Sequence, residues 1–180
     1  QQMQTESVRR YYESLKRKWA SLLLKKGFDV VASLLGLILL SPVFAVLAVW
    51  IKADSRGPVL FRQTRVTRYG RAFRIYKFRT MVADAESKGS QVTVQGDSRI
   101  TRVGAKLRGC RLDELPQLIN ILKGDMSFVG VRPEVPRYVE QYTDEMYATL
   151  LLPAGVTSQA SILYRDEQRL LDGAADPDRT

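Results

Sequence analysis

The chain has no histidine and only one cysteine. Without histidine there can be no Ser-His-Asp triad, no imidazole general base and no His-ligated metal site. The single cysteine, Cys110, excludes an intrachain disulfide and a metal site built from paired cysteines, and it suits a reducing cytosolic location.

Acidic residues are also in short supply relative to bases. The 180 residues contain 28 Lys and Arg against 19 Asp and Glu, which gives a net charge of +9. This excess favours an anionic partner, namely a phospholipid surface, a phosphorylated substrate or nucleic acid. Residues 1–26 carry seven bases and two acids, so more than half of the excess precedes a long apolar run, where anionic lipid headgroups would be met.

The apolar run from Val30 to Ile51 contains 22 residues and no charge. As a straight helix it would be about 33 Å long, enough to cross the hydrocarbon core of a bilayer. Pro42, however, cannot donate to the carbonyl of Ile38 and should break the helix, and the hydroxyl of Ser41 can bond a freed carbonyl. Bases flank both ends, so the positive-inside tendency assigns no orientation. These residues leave open a re-entrant hairpin and a kinked span.

Upstream of this run, apolar residues recur at helical spacing with bases between them, at Val8, Tyr11, Tyr12, Leu15, Trp19, Leu22 and Leu23. The pattern predicts an amphipathic helix lying on the membrane interface, with a helix packed against protein as the alternative. Asp29, where the apolar run begins, is expected to cap the helix or to pair with a nearby base.

Downstream, the pattern predicts a compact region of mixed structure. Extended segments are expected at residues 59–63 and 72–81, with Gly70 at the turn between them, followed by a polar loop over 84–97 and a short helix near 100–107. The clearest helix has an apolar stripe and a C-terminal glycine, formed by Leu115, Leu118, Ile119, Leu122 and Gly124. Residues 134–151 are expected to be helical, and 153–155 to open a loop.

Two adjacent carboxylates begin this clearest helix. Asp113 suits the N-cap position, Glu114 follows it, and Pro116 belongs in a first turn, where an N–H has no helical partner to lose. An ionised Asp is a competent nucleophile at phosphorus, and an adjacent Glu offers a hard oxygen ligand for Mg²⁺. The alternative is that the two carboxylates only cap a helix.

Basic residues are frequent on both sides of this pair. They could form bidentate contacts with a diphosphate, or they could belong to a solvated or lipid-facing surface. The candidates are Arg74, Lys77, Arg79, Arg99, Arg102, Arg108, Arg111 and Arg132.

From about Lys25 to about Leu171 the chain resembles the bacterial sugar transferase family, the monotopic polyprenyl-phosphate phosphoglycosyl transferases. The resemblance runs through motifs in the family's order: Lys26-Gly-Phe-Asp29, Leu40-Ser41-Pro42, Ile51 to Val59, Phe61-Arg-Gln63, Tyr76-Lys-Phe-Arg-Thr-Met81, Asp84-Ala-Glu86, Arg99-Ile-Thr101, Leu112-Asp-Glu-Leu-Pro-Gln117 and Leu122-Lys-Gly-Asp-Met-Ser127. Each motif is weak alone, and the set is specific.

The resemblance implies a catalytic dyad at Asp113 and Glu114, with both carboxylates near Mg²⁺. In the family the Asp attacks the sugar-linked phosphorus of a UDP-sugar, releases UMP and carries a phosphosugar, which polyprenyl phosphate then accepts. Substrate-binding positions carried over from the family are Lys77, Arg79, Arg108, Arg132, Pro133 and Arg165. Val131 stands in place of the first Pro of the usual Pro-Arg-Pro segment, which affects the expected nucleotide and sugar contacts.

The resemblance also favours a membrane helix broken at Ser41-Pro42. We therefore predict an α+β, mostly helical fold in three parts: an amphipathic interfacial helix over 1–28, a re-entrant membrane helix over 29–52, and a cytosolic catalytic domain over 53–180. The expected location is the cytoplasmic face of a bacterial inner membrane.

The expected partners are a UDP-sugar, polyprenyl phosphate and membrane lipid, without nucleic acid, and the sequence leaves homo-oligomer formation open. Two other functions compete with this prediction. A membrane-tethered basic adaptor would bind anionic lipid or nucleic acid without releasing UMP. A glycosyltransferase that moves the sugar without its phosphate would release UDP.

Overall fold

A computed structural model of the chain describes residues 5–85, 97–158 and 162–163. These residues form a mixture of helices and short strands. In chain order the elements are α1 (Glu6–Lys16), α2 (Trp19–Leu39), α3 (Ser41–Asp54), β1 (Leu60–Val66), β2 (Ala72–Phe78), α4 (Arg102–Gly109), α5 (Gln117–Leu122), β3 (Met126–Val129), α6 (Pro136–Val139) and β4 (Ala154–Thr157). Single turns of 3-10 helix occupy Arg68–Gly70 and Leu112–Glu114, and a longer 3-10 helix occupies Met146–Leu151.

The first helix, α1, packs its apolar side on protein. Val8 is 1% exposed and lies in a buried cluster with Val66 and Leu150. α1 thus contacts protein through Val8, whereas Tyr11 and Tyr12 are exposed, and the interfacial position of this region stays a prediction. The amphipathic pattern also spans two helices, because α1 ends at Lys16 and Trp19 already begins α2.

The apolar run forms two helices that meet at a sharp bend. α2 and α3 are inclined by 61° across Leu40, so the predicted break is confirmed to within one residue. The hydroxyl of Ser41 donates a hydrogen bond to the carbonyl of Ile38 at 2.8 Å. This is the carbonyl that receives no helical hydrogen bond, because Pro42 has no N–H to donate. No single described helix is long and apolar enough to cross a membrane, whereas α2 and α3 together meet that test by length and composition.

The outer surfaces of α2 and α3 are strongly apolar. Thirteen large apolar side chains of these helices are exposed, among them Leu24 at 77%, Leu39 at 74% and Val49 at 71%. The full set is Trp19, Leu23, Leu24, Phe28, Val31, Leu34, Leu35, Ile38, Leu39, Val43, Val46, Val49 and Trp50. Contiguous apolar surfaces of this kind mark a membrane or protein interaction site.

A buried polar contact attaches α2 to the rest of the molecule. Asp29 is 7% exposed and accepts hydrogen bonds from the hydroxyl of Ser127 at 2.7 Å and from the backbone N–H of Phe128 at 3.3 Å. Lys25 lies 3.3 Å from the same carboxylate and also donates to Ser127. Of the two predictions for Asp29, pairing with a nearby base is therefore confirmed. The residue also links α2 to β3.

The strands β1 and β2 form an antiparallel hairpin whose turn contains Gly70 at a φ of 73°. The predicted extended segments and their turn are thus confirmed. On its other side β2 is held by Asn120 of α5, which is fully buried. The side chain of Asn120 accepts from the N–H of Tyr76 at 2.9 Å and donates to the carbonyl of Arg74 at 2.8 Å. These two bonds satisfy backbone groups at the edge of the hairpin.

The strands β3 and β4 pair in parallel, so the prediction of a loop at 153–155 is wrong. Two glycines permit this pairing, because a Cβ on Gly155 would lie 2.2 Å from the backbone nitrogen of Gly130. The expected helix over 134–151 is also mostly wrong. Only the four residues of α6 and a 3-10 helix over Met146–Leu151 are helical there.

Candidate active site

The two adjacent carboxylates lie on a single 3-10 turn, Leu112–Glu114, which follows α4. The prediction that Asp113 is a helix N-cap is wrong, because α5 begins at Gln117 and Asp113 is the middle residue of the earlier turn. Arg111 causes the change of direction, since it adopts the left-handed region at a φ of 53°.

Burial dominates the environment of Asp113. The residue is 9% exposed, and this burial is the main reason why the pKa of its carboxyl lies above its ordinary value. The nearby charge of Glu114 raises that pKa further, while the positive charges of Lys77 and Arg108 oppose the shift. Asp113 is thus a carboxylate with little water around it, held between two cations.

Glu114 has the opposite character. Burial alone would raise its pKa, but the charges of Lys77, Arg132 and Arg111 and a hydrogen bond from Lys77 outweigh that effect, so the pKa of Glu114 lies below its ordinary value. Lys77 Nζ lies 2.7 Å from Glu114 Oε1, and both side chains are partly buried. Lys77 comes from β2, so the hairpin carries this cation to the dyad.

Arg108 reaches Asp113 from the end of α4. Its Nε donates to the hydroxyl of Thr80 at 3.0 Å, and its charge acts on the carboxyl of Asp113. The close approach of α4 to this strand end depends on Gly104, because a Cβ there would lie 2.0 Å from the carbonyl oxygen of Thr80. Arg108 is therefore placed by contacts that the sequence motifs did not single out.

Arg132 and Pro133 lie on the segment that follows β3. Arg132 is exposed and its charge lowers the pKa of Glu114, which places it on the Glu114 side of the dyad. Pro133 is buried, and its carbonyl accepts from Arg65 Nη1 at 3.1 Å. The next residue, Glu134, accepts from the N–H of Val66 at 2.9 Å, so β1 braces the whole segment.

Arg79 is the predicted substrate contact that the structure places elsewhere. It is 5% exposed, and its guanidinium donates to three backbone carbonyls after α3, those of Pro58 at 2.7 Å, Arg56 at 2.5 Å and Ser55 at 2.8 Å. These contacts stabilise the connection between α3 and β1, and a direct contact of Arg79 with substrate stays a prediction.

The remaining predicted positions are spread over the molecule. Arg165 lies outside the described residues, and Ser41 and Pro42 begin α3 at the bend between α2 and α3. Of the other bases, Arg99 forms an ion pair with Asp97 at 2.6 Å. Arg74, Arg102 and Arg111 are exposed.

The dyad has the donor chemistry of a site that shares Mg²⁺ with a substrate. The described residues contain no group of three or more His, Cys, Asp or Glu side chains that could hold a metal ion. Mg²⁺ commonly takes one or two protein carboxylates and completes its coordination with phosphate oxygens and water. Asp113 and Glu114 fit that pattern and do not form a complete metal site by themselves.

Several residues that build the site were not among the candidate site residues. Thr80 places Arg108, Asn120 fixes α5 against β2, and Arg65 holds the segment of Arg132. Buried polar residues within otherwise apolar patterns were the available signal, because such side chains are normally hydrogen-bonded.

In this arrangement a carboxylate can attack an electrophilic phosphorus, and the neighbouring cations can stabilise the negative charge of the phosphate oxygens. A buried carboxylate with two flanking cations, a second carboxylate and an exposed arginine fits a phosphate-rich substrate better than a neutral one. Asp113, Glu114, Lys77, Arg108 and Arg132 are close enough for their charges to act on the two carboxylates, and their roles as site residues stay a prediction.

The chain is similar to several proteins that are named as sugar-phosphate transferases. The UDP-N-acetylgalactosamine-undecaprenyl-phosphate N-acetylgalactosaminephosphotransferase of Aeromonas hydrophila is 44% identical over 145 residues, covering 78% of this chain and 34% of the relative. The UDP-glucose:undecaprenyl-phosphate glucose-1-phosphate transferase of Escherichia coli (strain K12) is 42% identical over 143 residues, covering 78% and 31%. The exopolysaccharide production protein PSS of Rhizobium leguminosarum bv. phaseoli is 50% identical over 112 residues, covering 62% and 56%.

The chain thus spans about a third of the length of two of these relatives and just over half of the third. Residues 20–177 match the family described as bacterial sugar transferase. That match covers the bent helix pair α2–α3, the dyad and the cations around it. The chain belongs to the bacterial sugar transferase family.

Proposed function

We propose that this protein transfers a sugar 1-phosphate from a UDP-sugar to polyprenyl phosphate, releasing UMP. The observation that carries the proposal is the buried carboxylate of Asp113, held between Lys77 and Arg108 beside Glu114. Relatives that match most of this chain use UDP-sugars and undecaprenyl phosphate according to their names. The product would start a membrane-bound glycan such as an exopolysaccharide, capsule or O-antigen.

The reaction proceeds in two displacements at the same phosphorus. A carboxylate oxygen of Asp113 forms a bond to the sugar-linked phosphorus, and the bond from that phosphorus to the bridging oxygen breaks, so UMP leaves with the electron pair. A phosphate oxygen of the acceptor then bonds to the phosphorus, and the bond to Asp113 breaks. The product is a polyprenyl diphosphate sugar, and the carboxylate is regenerated.

The surrounding residues have separate parts in these displacements. Arg108 and Lys77 stabilise negative charge on the phosphoryl oxygens, and Arg132 contacts the nucleotide side of the substrate. Burial of Asp113 removes water that would compete as a nucleophile and strengthens these charge interactions. Mg²⁺ bound by Glu114 and Asp113 together with phosphate oxygens would offset the charge of the diphosphate.

The bent pair α2–α3 is the proposed membrane anchor. As a re-entrant hairpin it would bury the thirteen exposed apolar side chains in lipid and return the chain to the cytoplasmic face. The hydrogen bond from Ser41 to Ile38 supports a stable bend in an apolar environment, because it satisfies a carbonyl freed by Pro42.

Product analysis tests the proposed reaction. Full-length protein in detergent or nanodiscs is incubated with a panel of UDP-sugars, undecaprenyl phosphate and Mg²⁺, and the released nucleotide is identified. We expect UMP with at least one donor, and a phosphosugar adduct on the peptide that contains Asp113. Release of UDP instead would mean sugar transfer without phosphate, and release of neither nucleotide would contradict the proposal.

Variants of the two carboxylates, with one matched control, test whether the dyad carries out the release of UMP. Asp113→Asn should abolish UMP release, and Glu114→Gln should reduce it strongly and change its dependence on Mg²⁺. Asp144→Asn removes a carboxylate of the same kind from an exposed position and should retain full activity. An active Asp113→Asn protein would refute the assigned nucleophile.

The topology has its own test. Tags placed before residue 1 and after residue 180 should both be accessible only from the cytoplasmic side if α2–α3 is re-entrant. Tags on opposite sides would mean a kinked span.

A further inference from the structure

We propose that the exposed side of α4, together with the aromatic end of α3, is the entry site for the phosphate of the lipid acceptor. Three residues define this entry site: Arg102 and Lys106 on α4 and Trp50 on α3. The inference rests on the proposed function, and it identifies where a polyprenyl phosphate monoester would bind before it reaches the dyad.

Two cations stand on the same exposed side of α4. Arg102 and Lys106 are four residues apart and therefore neighbours on the helix surface, while Val103, Gly104 and Leu107 form the buried side. Within the described residues, neither cation is part of an ion pair with a carboxylate. Two like charges at this spacing repel each other, and Arg102 also begins the helix, where the helix dipole disfavours a cation. An anion bound between them would remove both conflicts.

The second observation is the position of this pair beside the exposed apolar surface of α3. Lys106 Nζ lies 5.4 Å from the centroid of the Trp50 ring, which belongs to the exposed apolar surface of α3. α4 is fixed to α3 by a buried cluster that includes Ile51 and Leu107, and by a hydrogen bond from the N–H of Val103 to Asp54. The cations therefore lie directly at the edge of the proposed membrane surface, where indole rings are common.

The site is also close to the dyad along the same helix. Arg108 follows Lys106 by two residues, about 3 Å along the helix axis and about 200° around it, so it lies on the other side of α4, where its charge acts on Asp113. A phosphate held by Arg102 and Lys106 would reach Arg108 by moving around α4 from the exposed side to the side that faces the dyad. Lys77 approaches the dyad from β2, a different element, so the acceptor and the donor need not share their first contacts.

Charge favours a phosphate monoester as the occupant. A monoester carries a charge of about −1.5 to −2 at neutral pH, which matches two unpaired cations, whereas a phospholipid diester carries only one charge. The apolar surface beside Trp50, which includes Val46 and Val49, is exposed and available to an isoprenoid chain. The two parts of a polyprenyl phosphate thus match the two parts of the site.

The test compares the double variant Arg102→Gln/Lys106→Gln with the unmodified protein in nanodiscs. We expect the KM for undecaprenyl phosphate to rise about tenfold, which corresponds to the loss of about 1.4 kcal/mol of binding. The KM for the UDP-sugar and the single-turnover burst of UMP without acceptor should stay within twofold. Arg17→Gln/Lys18→Gln is the matched control, because it removes two exposed bases between α1 and α2 and should leave the acceptor KM unchanged.

Three results would overturn the inference. The acceptor KM could stay unchanged in the α4 variant, or it could rise equally in the Arg17/Lys18 control, which would indicate a general effect of membrane charge. An effect that appears in nanodiscs containing phosphatidylglycerol and vanishes in zwitterionic ones would assign the site to phospholipid headgroups. Failure of the proposed function itself is distinguishable, since the unmodified protein would then release no UMP.

Discussion

Replacing Asp113 by Asn should abolish activity and at the same time stabilise the protein. Burial raises the pKa of this carboxyl, so folding favours its neutral form and ionisation at neutral pH costs stability. Each pKa unit of increase corresponds to about 1.4 kcal/mol, or roughly 3–5 °C in Tm for a domain of this size. Asparagine has nearly the same shape and carries no charge, so it removes this cost.

The pH dependence separates this explanation from a capping role. Stability contributed by Asp113 is complete below its ordinary pKa of 3.8 and declines as the pH rises through the higher value in the folded protein. The difference in Tm between the variant and the unmodified protein should therefore be largest near neutral pH and shrink on acidification.

The assay is thermal unfolding followed by tryptophan fluorescence, in detergent with Mg²⁺ chelated. Glu114→Gln is the matched control, in which the change in Tm should have the opposite sign. The pKa of Glu114 is lowered, so its charge stabilises the fold above the ordinary pKa of 4.5, and the variant should lose Tm at neutral pH. If Asp113→Asn instead lowers Tm by several degrees at neutral pH, the carboxylate has a structural role and the reasoning fails.

Three further predictions concern the surroundings of the dyad. Arg79→Gln should lower the free energy of unfolding by about 2–3 kcal/mol, because three backbone carbonyls lose a charged hydrogen-bond donor. The KM for the UDP-sugar should stay unchanged. A raised KM with normal stability would mean that Arg79 contacts the substrate. Gly104→Ala should reduce kcat about 100-fold, because its Cβ would meet the carbonyl of Thr80 and displace α4. Gly109→Ala is the control, since its Cβ would meet nothing within 4 Å, and it should retain activity. Equal kcat values for the two variants would contradict the role of the contact between Gly104 and Thr80. Asp29→Asn should lower the free energy of unfolding by about 1–3 kcal/mol in a thermal melt, and an unchanged Tm would show that the link between α2 and β3 is dispensable.

The sequence marked Asp113 and Glu114 as a candidate pair, the family resemblance assigned them a catalytic role, and that role stays a prediction. Asp113 and Glu114 with Lys77 and Arg108 are close together in the structure as expected. The helix break could also be predicted, since the constraint imposed by Pro42 is local.

The helix boundary at the dyad could not be predicted, because it depends on a left-handed Arg111, and non-glycine residues rarely adopt that conformation. The face of α5 was misjudged for a related reason. Its apolar stripe predicts one buried side, yet Asn120 is fully buried because β2 needs its amide, and Leu122 is 36% exposed. Neither fact is visible without the neighbouring strand.

Long-range pairing explains the other differences. β4 is a four-residue strand whose partner lies about 30 residues earlier in the chain, so no local pattern predicts it. Arg79 sits in a basic motif that suggests anion binding, and only the folded backbone reveals that three of its five N–H donors bind carbonyls.

The buried contact of Asp29 with Ser127 has a consequence for how the protein would work in a bilayer. Tilting the strand layer relative to α2 would break a carboxylate's hydrogen bonds in a dry environment, which is costly. With α2–α3 as the proposed anchor, this contact would hold the dyad at a constant height above it. The vertical travel would then be made by the flexible isoprenoid of the proposed acceptor, so a thicker bilayer should slow the second displacement and leave the first unaffected.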